Sequence, residues 1–180
     1  LVTRNGSFRT TIFMKQKGPY KILSSKNVYK NPWISIQEDE VIQKNGVKST
    51  FGVIDYGSGV SILALDKEKN VCLIKEYYYA IEEYALQLPS GGIEKNETPL
   101  DAAKRELLEE TGITGDNWID LGFVHPLSMI LKSPAYLFLV TGLSYSNNSE
   151  EGIEIIKKSF KEAYDMVVKS EINHAPSCVA

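Results

Sequence analysis

The stretch GGIEKNETPLDAAKRELLEETGI, residues 91–113, contains three closely spaced glutamates: Glu106, Glu109 and Glu110. On a helix, positions i, i+3 and i+4 lie on one arc, because each residue advances by about 100°. Thr98 is a good N-cap and Pro99 suits the first helical turn. Gly112 stands where helices often end in the left-handed conformation. The stretch therefore predicts a short acidic helix with a loop at each end.

The apolar residues of this predicted helix place the glutamates beside a buried stripe. Leu100, Ala103 and Leu107 recur at helical spacing and form that stripe. Carboxylates crowded on one arc repel each other unless a cation lies between them. Oxygen ligands without an accompanying Cys or His favour Mg²⁺ or Mn²⁺ over zinc. The helix therefore predicts a magnesium site, and the alternative is a solvated acidic face.

The spacing around the glutamates is that of a known motif. From Gly91 the chain has five residues, Glu97, seven residues, and then RELLEETGI from Arg105 to Ile113. This pattern resembles the Nudix box, the signature of the Nudix hydrolases, and every fixed position is filled. The resemblance implies a loop–helix–loop that holds Mg²⁺ against the diphosphate of a nucleoside diphosphate linked to a second group.

The resemblance also implies roles for individual residues. The implied metal ligands are the carbonyl of Ser90 and the carboxylates of Glu106, Glu109 and Glu110. Glu109 is expected to be shared between the metal and the attacking water. Glu97 and Arg105 are expected to form an ion pair that fixes the loop against the helix.

The general base is expected in a late acidic loop. Residues 144–151, SYSNNSEE, have the composition of a flexible loop. In the ADP-ribose branch of the Nudix family, a loop glutamate that precedes an Ile-Glu strand serves as the base. By position that residue is Glu151, with Glu154 on the strand next in line. The alternative is a solvated acidic loop without a catalytic role.

Composition limits the class of protein. With 180 residues and a net charge of −3, the chain is expected to form one domain, or one domain with an appendage. It contains no apolar run of membrane-spanning length and no signal-peptide pattern. Cys72 and Cys178 are distant in sequence, which indicates reduced thiols rather than a disulfide or a metal site. These features favour a cytoplasmic protein.

The charge is unevenly distributed. The first 37 residues carry seven Lys or Arg and no acid, whereas the remainder carries 13 basic and 23 acidic residues. A solvated terminus is the favoured interpretation, and a basic arm that helps to hold an anionic substrate is the alternative. A nucleic-acid-binding domain would be far more basic. Residues 1–13, before Met14, are interpreted as an upstream extension or an added segment and are left out of the fold prediction.

Strand patterns lie on both sides of the box. Residues 33–37 alternate between apolar and polar, and Asn45-Gly46 is a hairpin signal. Two apolar runs, residues 60–65 and 71–76, are joined by a polar turn and predict a buried hairpin. Later elements are predicted as strands at 118–124, 136–141 and 153–156 and a helix at 160–170. Together they predict an α+β or α/β fold: an α/β/α sandwich with a mixed β-sheet, preceded by a small N-terminal β-region.

The segments outside the box resemble the ADP-ribose pyrophosphatase branch of the Nudix hydrolases. The resemblance rests on residues 31–34, 52–56, 76–80 and 88–92. It implies that residues 20–56 form a β-region that pairs with a second subunit, so that a homodimer is expected. This region would follow a flexible basic extension at residues 1–19 and precede the hydrolase domain at residues 57–180. No nucleic-acid or membrane partner is expected.

The expected substrate is ADP-ribose or a related nucleoside diphosphate sugar, cleaved to a nucleoside monophosphate and a sugar phosphate. Trp33 is a candidate for stacking on the base. Tyr77 and Tyr79 share one face of a strand and are candidates for the ribose pocket. Core or interface packing is the alternative for these aromatic residues. Gly91, in the box loop, completes the predicted substrate-binding residues.

Three departures from the branch affect the expected substrate. Gln87 replaces a frequent Glu before the loop Pro, and residues 127–134 replace the usual Ser-Pro-Gly and acidic loop. The branch often has Gln-Tyr-Arg where this chain has Glu76-Tyr77-Tyr78, so an Arg expected near the phosphates or ribose is absent. This makes GDP-mannose or another nucleotide sugar the alternative substrate. A non-catalytic sensor of nucleotide sugars is the alternative from a different class, and it is disfavoured because all the box acids remain. The extra N-terminal β-region disfavours a nucleoside triphosphatase, and the lack of a Cys-x-x-Cys zinc ribbon disfavours a pyridine-nucleotide pyrophosphatase.

Overall fold

The N-terminal part of the chain forms a four-stranded sheet in the order β1-β2-β3-β4. Its strands are β1 (Gln16–Lys17), β2 (Tyr20–Lys30), β3 (Ser35–Ile42) and β4 (Lys48–Asp55). The computed structural model describes residues 15–146 and 149–180, so the predicted extension at residues 1–13 lies outside the described residues. Strand β1 falls within the stretch predicted as a flexible extension, and it pairs antiparallel with β2. The chain divides into two units, Leu1–Ile54 and Asp55–Ala180.

A buried carboxylate is a main feature of this N-terminal sheet. Asp39 on β3 is 2% exposed and accepts hydrogen bonds from Ser25 Oγ at 2.6 Å and Gln37 Nε2 at 2.6 Å. Lys17 Nζ lies 3.2 Å from its second oxygen. These donors, with Ser25 the strongest, lower the pKa of Asp39.

The turn between strands β3 and β4 contains Gly46, which has φ of 84° and stands in the predicted hairpin.

The C-terminal unit contains two further sheets. One has the order β8-β5-β10-β9 and the other the order β11-β6-β7. The strands are β5 (Gly59–Ala64), β6 (Asn70–Tyr78), β7 (Glu83–Gln87), β8 (Ser90–Gly92), β9 (Ile113–Val124), β10 (Ala135–Tyr145) and β11 (Glu154–Ser159). Strand β10 runs parallel to β5 and antiparallel to β9, so this sheet is mixed. The sequence pattern did not predict β7 and β8.

Three helices cover the strands of the C-terminal unit. They are α1 (Pro99–Thr111), α2 (Phe160–Val168) and α3 (Ala175–Val179). Leu107 of α1 packs in one core cluster with Ile62 and Cys72, whereas Ala163 of α2 packs in a second cluster with Leu63 and Leu73. Since successive strand residues point to opposite faces, the two clusters lie on opposite sides of the strands. This is the predicted α/β/α arrangement, and the predicted fold class is confirmed.

The predicted hairpin between β5 and β6 is wrong in its pairing. The two strands are joined by the predicted polar turn, but only one bridge connects them, between Leu65 and Val71. Beyond it, β5 pairs with β8 and β10, and β6 pairs with β7 and β11. Both edges of β5 are taken over residues 59–61, and both edges of β6 are taken over residues 74–75, so no ladder between the two strands can extend through these positions. Apolar patterning predicted both strands, and long-range pairing decided their neighbours.

Two simpler sequence expectations can be compared with the structure directly. Cys72 is buried, Cys178 is exposed, and both are free thiols. Among the residues that the structure describes, none of the helices combines the length and the apolar character needed to cross a membrane.

Candidate active site

Helix α1 is shaped by its capping residues, as the sequence predicts. The Thr98 side chain accepts a hydrogen bond from the backbone N–H of Asp101 at 3.2 Å. Gly112 ends the helix in the left-handed conformation with φ of 68°, and its N–H donates to the carbonyl of Leu108 at 2.8 Å. The fully buried Leu107 turns one side of the helix toward the core. These contacts fix the rotation of the helix and therefore the directions of its glutamates.

Arg105 organises the loop that precedes the helix. Its guanidinium makes a bidentate pair with Glu97, with Nε to Oε1 at 2.9 Å and Nη2 to Oε2 at 3.0 Å. Nη2 also donates to the carbonyl of Gly92 at 2.8 Å. The Glu97 carboxylate in turn accepts from the N–H of Glu94 at 3.0 Å. The structure thus contains the ion pair that the Nudix resemblance implies, and it ties the loop to the first half of α1.

The same guanidinium contacts two of the predicted metal ligands. Arg105 Nη1 donates to Glu106 Oε1 at 2.8 Å and to Glu109 Oε2 at 3.0 Å. The Glu106 side chain is 14% exposed and the Glu109 side chain is 54% exposed. Burial raises the pKa of Glu106, whereas its bond to Arg105 opposes that rise. The two carboxylates therefore share the Arg105 guanidinium, and Glu109 is the more exposed of the two.

Glu110 occupies a different environment, deeper in the protein. It is 6% exposed, and its Oε2 accepts the backbone N–H of Ser90 at 2.9 Å. Burial raises its pKa to about 8, and the neighbouring carboxylates of Glu106, Glu76 and Glu150 act in the same direction. A buried carboxyl group surrounded by like charges is the condition that a divalent cation relieves.

The donor set fits Mg²⁺ by chemical type. Carboxylates and a backbone carbonyl are the hard oxygen ligands that this ion takes. Within residues 15–146 and 149–180, however, no three acidic, His or Cys side chains converge closely enough to hold one ion. Arg105 occupies an oxygen of Glu106 and of Glu109, which keeps these side chains directed toward itself. The carboxylates of Glu106 and Glu109 are therefore directed to Arg105, whereas that of Glu110 is directed to the N–H of Ser90.

Gly91 lies directly against one of the glutamates. A Cβ atom at this position would stand 2.0 Å from the carboxyl carbon of Glu106. A side chain at residue 91 would therefore displace the Glu106 carboxylate from its present position. Gly91 was predicted to bind substrate, and the structure shows its backbone beside a predicted metal ligand.

The acidic loop after β10 approaches the same helix from its C-terminal half. The backbone N–H of Glu150 donates to the carbonyl of Glu109 at 3.0 Å. Glu109 and Glu150 line an open cleft of ≈ 540 Å³ together with Leu108 and Ser149. Residues 147–148 of the predicted loop lie outside the described residues. A glutamate-rich loop thus borders the carboxylates of α1.

Comparison with known proteins decides the family. The NUDIX domain profile matches residues 55–154, which is more than half of the chain. The chain belongs to the Nudix hydrolase family. The resemblance predicted from the box is therefore confirmed, and the protein is a hydrolase.

The region before the Nudix domain and the similar proteins agree with this assignment. Residues 20–54 match the nucleoside diphosphate sugar hydrolase N-terminal domain. The Nudix hydrolase is 23% identical over 165 residues to the ADP-ribose pyrophosphatase of Bacillus subtilis, with 89% of each chain covered. It is also 23% identical over 171 residues to the methanol dehydrogenase activator of Bacillus methanolicus, again with 89% of each covered. A crystal structure of an ADP compounds hydrolase has the same fold, with a TM-score of 0.76, 18% identity, and coverage of 91% of this chain and 90% of that chain.

The predicted substrate-binding aromatics of the Nudix hydrolase are all exposed. Trp33 belongs to the N-terminal unit and is 76% exposed. Tyr77 packs edge-on against Tyr84 with ring centroids 5.4 Å apart, and Tyr79 is 90% exposed. Tyr77 lies on β6, whereas Tyr79 lies just beyond the end of that strand. Their roles in substrate binding stay predictions.

The predicted base and its alternative are both at the surface in the Nudix hydrolase. Glu151 is exposed, and Glu154 on β11 lies 3.8 Å from Lys75. Sequence reasoning missed Glu150, whose backbone N–H the structure places against Glu109 of α1. Glu150 stands one residue from the predicted base, and only the backbone contact of the loop distinguishes the two.

Proposed function

We propose that this Nudix hydrolase is a Mg²⁺-dependent diphosphatase that cleaves ADP-ribose or a related nucleoside diphosphate sugar to a nucleoside monophosphate and a sugar phosphate. The observation that carries the proposal is Glu110, a buried carboxylate beside other carboxylates and held by the N–H of Ser90. The matched N-terminal domain and the ADP-ribose pyrophosphatase relative support the substrate class.

The residues proposed to hold the metal are the carbonyl of Ser90 and the carboxylates of Glu106, Glu109 and Glu110. A bound Mg²⁺ neutralises charge on the diphosphate and lowers the pKa of a water for attack on phosphorus. Mn²⁺, with similar ligand preferences, is expected to replace it. Glu97 and Arg105 would act by holding the loop and the helix in register, since their pair ties Gly92 to α1.

The proton of the attacking water needs an acceptor. Glu151 is the proposed base, with Glu154 as the second choice, because both follow the acidic loop that borders α1. Glu109 is proposed to help orient the water, since its side chain is the most exposed of the three box carboxylates. The backbone contact of Glu150 with Glu109 makes Glu150 the control residue for any test of the base.

Substrate recognition is proposed to involve three aromatic residues and the glycine of the box loop. Trp33 would stack on the base, Tyr77 and Tyr79 would contribute to the ribose pocket, and Gly91 would lie under the diphosphate. A homodimer formed through residues 20–56 is proposed as the working state, in a cytoplasmic setting. Tyr78 stands where the ADP-ribose branch often has Arg, and this favours GDP-mannose or another nucleotide sugar as the second candidate substrate.

The proposal is tested by product release from a substrate panel with and without Mg²⁺. The panel contains ADP-ribose, GDP-mannose, UDP-glucose, NADH, diadenosine compounds and deoxynucleoside triphosphates. We expect Mg²⁺-dependent cleavage concentrated on ADP-ribose or one nucleotide sugar, with nucleoside monophosphate as a product. Tight binding of one compound without turnover of any would instead identify a sensor. Preferential cleavage of triphosphates would contradict the substrate class.

A further inference from the structure

The strand that carries Ser90 has few means of anchorage. Strand β8 consists of Ser90, Gly91 and Gly92, and it stands at the end of its sheet, where β5 is its one partner among the described strands. Glycine has no side chain and adopts more backbone conformations than other residues. Ser90 is therefore the residue of β8 whose side chain can fix the strand. Its backbone N–H is also the group that meets Glu110, at 2.9 Å.

Ser61 on β5 holds the side chain of Ser90. Ser61 is the direct antiparallel partner of Ser90, it is fully buried, and its Oγ lies 3.0 Å from Ser90 Oγ. Ser90 Oγ also lies 2.7 Å from the carbonyl oxygen of Leu88. Among the described residues, Ser90 is the only hydrogen-bond partner of the Ser61 side chain. A buried hydroxyl needs such a partner, so the bond ties the two strands together at this position.

The donor in each of these two bonds follows from the number of protons. A serine hydroxyl has one proton and can also accept a hydrogen bond, whereas a carbonyl oxygen can only accept. The contact with Leu88 therefore uses the hydroxyl proton of Ser90. Ser61 must then donate its own proton to Ser90 Oγ. In this arrangement each of the two hydroxyl protons has an acceptor.

The serine pair lies on the opposite side of the strands from helix α1. Ser61 has the same parity on β5 as Leu63, which packs in the cluster that contains Ala163 of α2. Gly91, the next residue on β8, instead faces Glu106 of α1. The Ser61 hydroxyl is therefore directed away from the carboxylates of α1. It can act on them only through the backbone of β8.

We propose that Ser61 is a positioning residue for the proposed metal site. Its hydrogen bond to Ser90 holds the backbone of that residue, whose N–H meets Glu110 and whose carbonyl is a proposed metal ligand. The inference rests on the proposed function in one respect, namely that the Ser90 carbonyl and Glu110 are cation ligands. Removal of an outer-shell partner typically weakens metal binding about 10- to 100-fold. The effect of Ser61 is expected at the lower end of this range, because the β5–β8 ladder also holds Ser90.

The test is the affinity of the protein for Mn²⁺, measured from the electron paramagnetic resonance signal of the free ion. For Ser61→Ala we expect the dissociation constant to rise about 10-fold. Ser133→Ala is the matched control, because Ser133 is also fully buried and its Oγ accepts the N–H of Tyr56 at 3.1 Å. Both variants should melt about 2–4 °C below the wild type, but only Ser61→Ala should bind Mn²⁺ more weakly. Wild-type affinity in Ser61→Ala, or an equal loss in Ser133→Ala, would overturn the proposal.

Ser90→Ala tests the same bond from its other end, because it removes the acceptor and keeps the backbone of residue 90. It should weaken Mn²⁺ binding about as much as Ser61→Ala does, and the double variant should bind no more weakly than the single variants. In the Ser90→Ala background, Ser61→Ala should raise the melting temperature, because it removes a buried hydroxyl that has lost its partner. Additive losses of affinity, or a lower melting temperature of the double variant, would overturn the proposal. If Ser61→Ala alone does not fold, the affinity of Ser90→Ala decides.

The wild type separates this inference from the proposed function. Mn²⁺ binding without cleavage of any diphosphate would refute the proposed reaction, and the affinities of the serine variants would still decide the role of Ser61. Cleavage by the wild type together with unchanged Mn²⁺ affinity in Ser61→Ala would refute the positioning role alone. Absence of Mn²⁺ binding in the wild type would refute both.

Discussion

Two buried carboxylates, Asp39 in the N-terminal sheet and Glu110 on helix α1, differ in how their charge is balanced. Asp39 accepts hydrogen bonds from Ser25 and Gln37 and pairs with Lys17, and these donors lower its pKa. Glu110 accepts one backbone N–H and otherwise lies near carboxylates, and burial raises its pKa to about 8.

The surroundings of Asp39 balance its charge within the fold, so the group needs nothing else. The surroundings of Glu110 instead disfavour its ionised form, because the group is buried and its charged neighbours are carboxylates. A divalent cation from solution would offset the free-energy cost of ionising Glu110. Its binding would then be coupled to the ionisation of this carboxyl group. The comparison predicts that substitution of Glu110 lowers catalytic activity, whereas substitution of Asp39 lowers the free energy of unfolding.

The largest effect is expected for the box glutamates. Glu109→Gln and Glu110→Gln should each lower kcat by about 10²- to 10³-fold, because several kcal/mol of charge stabilisation depends on the bound metal. Their unfolding transitions should stay close to that of the wild type. Steady-state kinetics with the preferred substrate, together with thermal melts, measure both quantities. Full activity in both variants would show that the metal-site assignment is wrong.

The next effect concerns the approach of β8 to α1. Gly91→Ala places a methyl group against the Glu106 carboxylate, which is the movable end of a side chain, so the fold should persist while the carboxylate is displaced. We expect Mn²⁺ affinity to fall about 10-fold or more. Gly92→Ala is the control, since a Cβ at that position meets no atom within 4 Å. Equal affinities in the two variants would contradict the proposed role of Glu106.

Asp39→Asn should affect stability rather than catalysis. Loss of charge-assisted hydrogen bonds is expected to lower the free energy of unfolding by about 3 kcal/mol, with kcat nearly unchanged. The native pKa of Asp39 lies below its unfolded value of 3.8, so its contribution is present above that pH and is lost as the pH falls through the native value. Urea unfolding between pH 3 and pH 7 should therefore show a flatter acid dependence in the variant. A wild-type slope would refute this assignment.

The smallest effect is expected on the opposite side of the strands from α1. The buried Ser177 accepts the N–H of Leu88 at 2.9 Å and lies 2.9 Å from Nδ1 of His174. Ser177→Ala leaves the Leu88 N–H without a partner and should lower the free energy of unfolding by about 1 kcal/mol. Activity at saturating Mg²⁺ should not change. Ser170→Ala, at an exposed position, is the control, and a loss of activity specific to Ser177→Ala would show that this side also supports the site.

The box helix could be predicted closely because its determinants are local. Thr98, Pro99 and Gly112 set its ends through contacts within a few residues, and the structure begins and ends the helix at those positions. Carboxylates at i, i+3 and i+4 must lie on one arc of any helix. The ion pair of Glu97 with Arg105 followed from the motif rather than from geometry.

Other features could not be predicted because they depend on distant partners. The runs that form β5 and β6 looked like one hairpin, since apolar patterning does not say which edge pairs with which strand. The contact of the Ser90 N–H with Glu110 gave no local signal, because it joins residues that are twenty positions apart. Glu150 and Glu151 are chemically equal in sequence, and only the loop contact with α1 distinguishes them.

By itself, the sequence determined the Nudix family, the α/β/α fold class, the course of α1 and the identity of its acids, since these follow from short-range spacing and residue chemistry. Tertiary structure alone decided how much each acid is buried, that Arg105 joins Glu106 and Glu109, and that the N–H of Ser90 meets Glu110. The physical reason is that burial and charge balance arise from segments far apart in the chain. Only folding brings those segments together.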